Sequence, residues 1–206
     1  MGMTQLMESE AVIPHLYASA PEPLPFGRDL VIRAFLLERA GGNLLVYSTP
    51  TASGDVWRQY LNHRHEAGFA SGAVTAPLFV HAADRAAVEE THPVRASFSR
   101  RHMLDNDFEV IPAPGHTPGA TVYLWDTGDH RVLFTGDTIF LRDGEWATAV
   151  LGSSDREAYR ESLKLIRALD FDLLVPWAAT AGGPSHAVTD HKDTERRIDA
   201  LIESIR

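Results

Sequence analysis

The chain has 206 residues, 44% of them apolar, which suits one well-buried core and leaves too little for two ordinary domains, so residues 1–206 are expected to form a single domain. Lys and Arg number 19 against 28 Asp and Glu, a formal charge of −9 that argues against a nucleic-acid partner, whose phosphates it would repel. There is no cysteine, which excludes disulfides, thiolate-held metals and a cysteine nucleophile.

Residues 1–14 are polar and acidic with no apolar centre, and do not read as a signal peptide. The apolar runs at 44–47 and 173–175 fall far short of a membrane span. From these features a soluble, cytoplasmic protein is expected, with neither membrane nor nucleic acid as partner; a small-molecule substrate is expected from the site chemistry that follows. Four prolines between positions 14 and 26 point to an irregular edge segment. Residues 30–38 and 44–49 are dense β-type runs, and Ala40-Gly41-Gly42-Asn43 between them signals a hairpin. Residues 57–62 read as a short strand leading into His63, 77–81 as another, and 82–90 as a helix. The β pattern continues at 108–112, 121–125 and 131–135. Ser154-Asp155-Arg156-Glu157 has the spacing of a capping box, and Tyr159, Leu163, Ile166 and Leu169 follow at helical spacing. Residues 171–176 return as a buried strand, and Ile198, Leu201, Ile202 and Ile205 place one apolar stripe on a C-terminal helix. Strands with helices interspersed describe one α/β unit.

Four residues at the ends of apolar runs have metal-ligand chemistry. His63 and His65 stand two apart in Asn-His-Arg-His-Glu, and on an extended segment such a pair projects to one side. His116 follows in Pro-Gly-His-Thr-Pro-Gly, between glycines that permit unusual turns. Asp137 comes in Thr-Gly-Asp-Thr, just past the apolar Val132-Leu133-Phe134. Each fragment alone is weak; their co-occurrence in this order points to a site for one transition metal.

With these motifs the chain resembles the metallo-β-lactamase superfamily, and in particular its glyoxalase II-like and general metallo-hydrolase branch. The resemblance runs from the hairpin to about Val175 and implies an α/β fold of αββα sandwich type, with the metal site at one edge between two sheets. It implies that His63, His65 and His116 are metal ligands, with Asp137 at the position of a carboxylate that usually bridges two metals. It further implies that the ligands of a second metal are gone: Ala67 and Gly68 stand where the family has Asp and His, Ala178 where it has a later histidine, and Ser48 where an aspartate ends the third strand.

A single Zn²⁺ held by three histidines keeps an open position and lowers the pKa of its bound water toward about 7. The hydroxide so formed attacks an ester, thioester, lactone or amide, with Asp137 or Glu66 as candidate general base. The alternatives are an Fe²⁺ oxygenase of the persulfide dioxygenase type, using a two-histidine, one-carboxylate face, and a non-catalytic descendant. Phe140 and Arg142 are candidate lining residues at the pocket mouth, Trp146 and Trp177 candidate core residues, and His186 a surface-loop residue.

Overall fold

Period-two alternation on strands that are apolar on both faces requires cover on both sides, and the chain supplies it. The computed structural model describes residues 10–27 and 29–205; of the polar N-terminal stretch, positions 1–9 lie outside the described residues. One sheet has seven strands, in the spatial order Glu10–Ile13, Leu16–Ala18, Phe35–Leu37, Leu44–Val46, Arg58–Tyr60, Leu78–His81 and Ala96–Phe98. A second has six: His102–Leu104, Phe108–Pro112, Thr121–Asp126, Arg131–Gly136, Leu173–Pro176 and Ala187–Val188. A third has five: Glu145–Ala147, Phe140–Arg142, Ala178–Thr180, Leu30–Ile32 and Glu22–Pro23.

Val132, Phe134, Leu173 and Val175 face a core shared with Phe35, Leu37, Leu44 and Val46 of the seven-stranded sheet. Their neighbours Leu133 and Leu174 face the other way, against Tyr159, Leu163 and Ile166 of helix Arg156–Arg167 and Ile198 and Leu201 of helix His191–Ser204. On the opposite side, Leu61, Leu78 and Val80 pack against Ala67 of the 3-10 helix Arg64–Phe69 and Val88 of the short helix Arg85–Glu89. The layers are therefore helix, sheet, sheet, helix, the αββα sandwich. Among the described residues, no helix is long and apolar enough to cross a membrane.

The expected hairpin is present, with Phe35 opposite Val46 and Leu37 opposite Leu44. The run at 30–38, however, is two strands in different sheets: Leu30–Ile32 pairs with Ala178–Thr180, while Phe35–Leu37 pairs across the hairpin. Where the chain changes sheets, Arg33 N donates to Trp177 O and Ala34 N to Ser19 Oγ, so the crossing leaves neither donor unpaired. Nor is the proline-rich stretch only an irregular edge. Leu16–Ala18 is an interior strand between Glu10–Ile13 and Phe35–Leu37, with Pro14 and Pro21 kept outside its ladder. The helix at 156 is capped by Asp155, whose side chain accepts from Ala158 N, and not by Ser154.

Candidate metal centre

His63 is extended (φ −155°, ψ 165°) and caps the 3-10 helix Arg64–Phe69, which places His65 inside the first turn. The two rings therefore share a side because the chain turns between them, not because they alternate along a strand. Behind His63 lies Glu66, fully buried. Its Oε1 accepts from Asn62 N at 2.9 Å and His63 N at 3.1 Å, and stands 2.9 Å from His63 Nδ1. Asn62 Oδ1 is 3.2 Å from the same ring nitrogen. Both neighbours are acceptors, so Nδ1 carries the ring proton and Nε2 keeps a lone pair. That Nε2 is buried and has no hydrogen-bond partner. Burial pushes the Glu66 carboxyl well above its usual range against the two backbone donors, yet Oε1 accepts in either protonation state.

His116 sits in a loop tied to helix Arg156–Arg167. Gly115 has φ 142°, and a Cβ there would overlap the backbone of Tyr159, so no side chain fits. Asp155 N donates to Gly115 O at 3.0 Å, and Ser154 Oγ, the residue expected to cap the helix, donates instead to His116 O at 3.1 Å. His116 Nδ1 lies 2.7 Å from Ala149 O and must donate to it, which leaves Nε2 with a lone pair. His65 Nδ1 is 3.2 Å from that Nε2. The three ring centroids are 5.1, 4.6 and 5.2 Å apart, each pair nearly perpendicular. One nitrogen from each ring lies within 4.8 Å of the other two, the one such convergence among the described residues.

Asp137 follows the end of strand Arg131–Gly136, with Oδ2 3.5 Å from His63 Nε2 and 3.6 Å from His116 Nε2. Gly136 has φ 55°, and a Cβ on it would overlap the Asn62 side chain. Tyr47 Oη accepts from Gly136 N at 2.8 Å and donates to Val175 O at 2.7 Å, joining two strand ends beside the site. Tyr159 Oη donates to the carbonyls of Asp137 and Thr138. Burial holds His63 down at about 4 and His116 at about 3, and lowers His65 as well, so the rings are neutral at pH 7. Burial raises the Asp137 carboxyl, while the charge of His63 opposes that rise.

Three converging imidazole nitrogens, one of them buried and unpartnered, fit a divalent ion of the zinc type. Of the positions read as lost ligands, Ala67, Gly68 and Ala178 carry no side-chain donor atom, Ala67 and Ala178 being packed in apolar clusters and Gly68 exposed. Ser48 is fully buried, its carbonyl accepting from Trp177 Nε1 and its Oγ without a hydrogen-bond partner, a neutral hydroxyl where the family has a carboxylate. The Trp177 ring lies 5.5 Å from His63, edge-on, so this tryptophan is at once core and site wall. Phe140 and Trp146 are buried, and Arg142 covers the Phe140 ring. His186 contacts Ser185 and is not among the converging rings. Tyr47, Tyr159 and Ala149 were missed, since their contacts form only between segments far apart in sequence, and Asn62 because its contact with the neighbouring His63 depends on the turn that follows.

The family model of the metallo-beta-lactamase superfamily matches residues 29–178. Among curated proteins, none matches the chain by sequence. Solved structures that share its fold include three metallo-beta-lactamases. A metallo-beta-lactamase from Pontibacter korlensis superposes with a TM-score of 0.69 at 12% identity, over 97% of this chain and 100% of that one. BJP-1, a subclass B3 metallo-beta-lactamase of Bradyrhizobium japonicum, gives 0.66 at 16% identity, over 96% and 91%. The metallo-beta-lactamase FIM-1 from Pseudomonas aeruginosa, in a mono-zinc form, gives 0.68 at 12% identity, over 93% and 94%.

Proposed function

The chain belongs to the metallo-β-lactamase superfamily, and from that membership we propose that it is a hydrolase working with one zinc ion held by His63, His65 and His116. The observation that carries the reading is the buried, unpartnered Nε2 of His63 facing two further imidazole nitrogens. When bound, the ion would supply Lewis acidity, polarising a carbonyl and lowering the pKa of bound water toward about 7. Glu66 does not act on substrate in this reading. It meets His63 at Nδ1, the side of the ring away from Nε2, and fixes the tautomer that frees Nε2. Asp137 is the proton carrier: its Oδ2 takes the proton of the attacking water and returns it to the leaving group. Trp177 keeps water from one side of His63.

The substrates are small esters, thioesters, lactones or amides, and the β-lactamase relatives make a cyclic amide worth including. A one-ion site is supported by the apolar residues at Ala67 and Ala178, by a neutral hydroxyl at Ser48 in place of a carboxylate, and by the mono-zinc form of one structural relative. Convergence of a third imidazole favours zinc hydrolysis over an iron centre built on two histidines and a carboxylate. The test is a screen of p-nitrophenyl esters, lactones, thioesters and a cephalosporin with Zn²⁺, Fe²⁺ and Mn²⁺. Hydrolysis of at least one class should vanish with chelator, return with zinc, and fall by about 10²–10⁴ in Asp137→Asn. No turnover with any substrate by protein carrying its ion would end the hydrolase reading.

A further inference from the structure

We infer that Asp84 is a positioning residue that clamps the His65 turn to the His116 loop and sets their joint geometry for a cation; the inference rests on the metal reading above. Asp84 is 1% exposed and precedes the short helix Arg85–Glu89, where an aspartate would ordinarily cap the first turn. It makes no such cap. Its carboxylate is turned instead to two other segments. Oδ2 accepts from Arg64 N at 2.9 Å and from Thr117 Oγ1 at 2.6 Å, and Oδ1 accepts from Gly119 N at 3.0 Å. Arg64 and Thr117 are the immediate neighbours of His65 and His116. A Cβ at position 119 would overlap the carboxylate, so glycine is what lets the loop close upon it.

The arrangement has an electrostatic side. Three neutral imidazoles bring no charge to offset a divalent ion, and Asp84 adds a buried acid beside them. Its charge acts on His63, His65 and His116 alike, in the sense that favours positive charge at each ring. A bond that merely welded two loops would need the acceptors and not the charge.

Asp84→Asn separates these roles, because it keeps the shape, removes the charge and presents an amide group to donors. The expected result is zinc affinity weakened by about 10–100-fold in chelator competition, with a shifted visible spectrum in the Co²⁺-loaded protein. In the metal-free protein, amide exchange should quicken together at Arg64 and Gly119, by about tenfold or more, and stay unchanged along helix His191–Ser204. Thr117→Val, which removes one hydrogen bond and keeps the charge, should cost only about threefold in affinity. Affinity of Asp84→Asn within about twofold of wild type, or exchange that responds at one amide alone, overturns the clamp. If Asp84→Asn does not fold, Thr117→Val decides: undiminished zinc affinity overturns the clamp, and a threefold loss supports it. A wild-type protein that takes up no metal refutes the proposed function, and the paired exchange of Arg64 and Gly119 still decides whether Asp84 joins the two loops.

Discussion

At the scale of single residues, His63 depends on a neighbour three positions away. Glu66 binds two backbone amides and the ring Nδ1 with one oxygen, so the tautomer of His63 is set by the turn that carries it. Glu66→Ala should therefore weaken zinc binding by about 10–100-fold and lower stability by about 1–3 kcal/mol for each orphaned amide. Chelator competition and urea unfolding measure the two effects; wild-type affinity would show that Asn62 Oδ1 alone holds the tautomer. Folding also favours the neutral rings of His63 and His116, held at about 4 and about 3 against an ordinary 6.5. Their contribution to stability is complete above pH 6.5 and is lost as pH falls toward those values, at about 1.4 kcal/mol per pH unit for each ring. Glu66 and Asp137, raised by burial, act in the reverse sense. Ring ¹⁵N spectra of the metal-free protein at pH 5.5 should thus show both imidazoles neutral with the proton on Nδ1. Protonated rings at that pH would contradict the burial described.

Among elements, the strand ends beside the centre are joined by a buried hydroxyl. Tyr47 sits at φ 70°, its ring edge-on to Phe35 and Phe134 and its Oη shared between Gly136 N and Val175 O. Tyr47→Phe keeps the ring and abandons both backbone groups, and should cost about 1–3 kcal/mol in urea unfolding. No loss would mean that water or a neighbour replaces the hydroxyl. Gly136→Ala should cost more, since the left-handed backbone and the Asn62 side chain both oppose a methyl group there. The elements read most surely from sequence were strands of five or six residues, Phe108–Pro112, Thr121–Asp126 and Arg131–Gly136, whose alternation is long enough to show. His102–Leu104 and Ala187–Val188 are too short to carry a period and lie outside dense apolar runs, so they were invisible, whereas the three-residue strands Leu44–Val46 and Arg58–Tyr60 lie within the runs read as β. The run at 30–38 looked continuous because both of its halves are buried, and only the pairing at Trp177 reveals the change of sheet.

At the scale of the whole molecule, the sandwich brings the three histidines and Asp137 together across 74 positions, from His63 to Asp137, and joins Tyr47 to Val175 across 128. The three histidines were legible because their motifs stand in a recognisable order, although the extended geometry expected of His63 and His65 is a 3-10 turn. Asp84 and Tyr47 were not legible, since each acts through a contact that exists only once distant segments are packed. Ala67 and Ala178 carry no donor atom and Ser48 only a neutral hydroxyl, which is why one ion is proposed. Elemental analysis of protein purified without added metal, repeated on folded His116→Ala, tests this most directly. One zinc per chain is expected, lost in the variant. Two ions per chain, or unchanged metal content in His116→Ala, would contradict it.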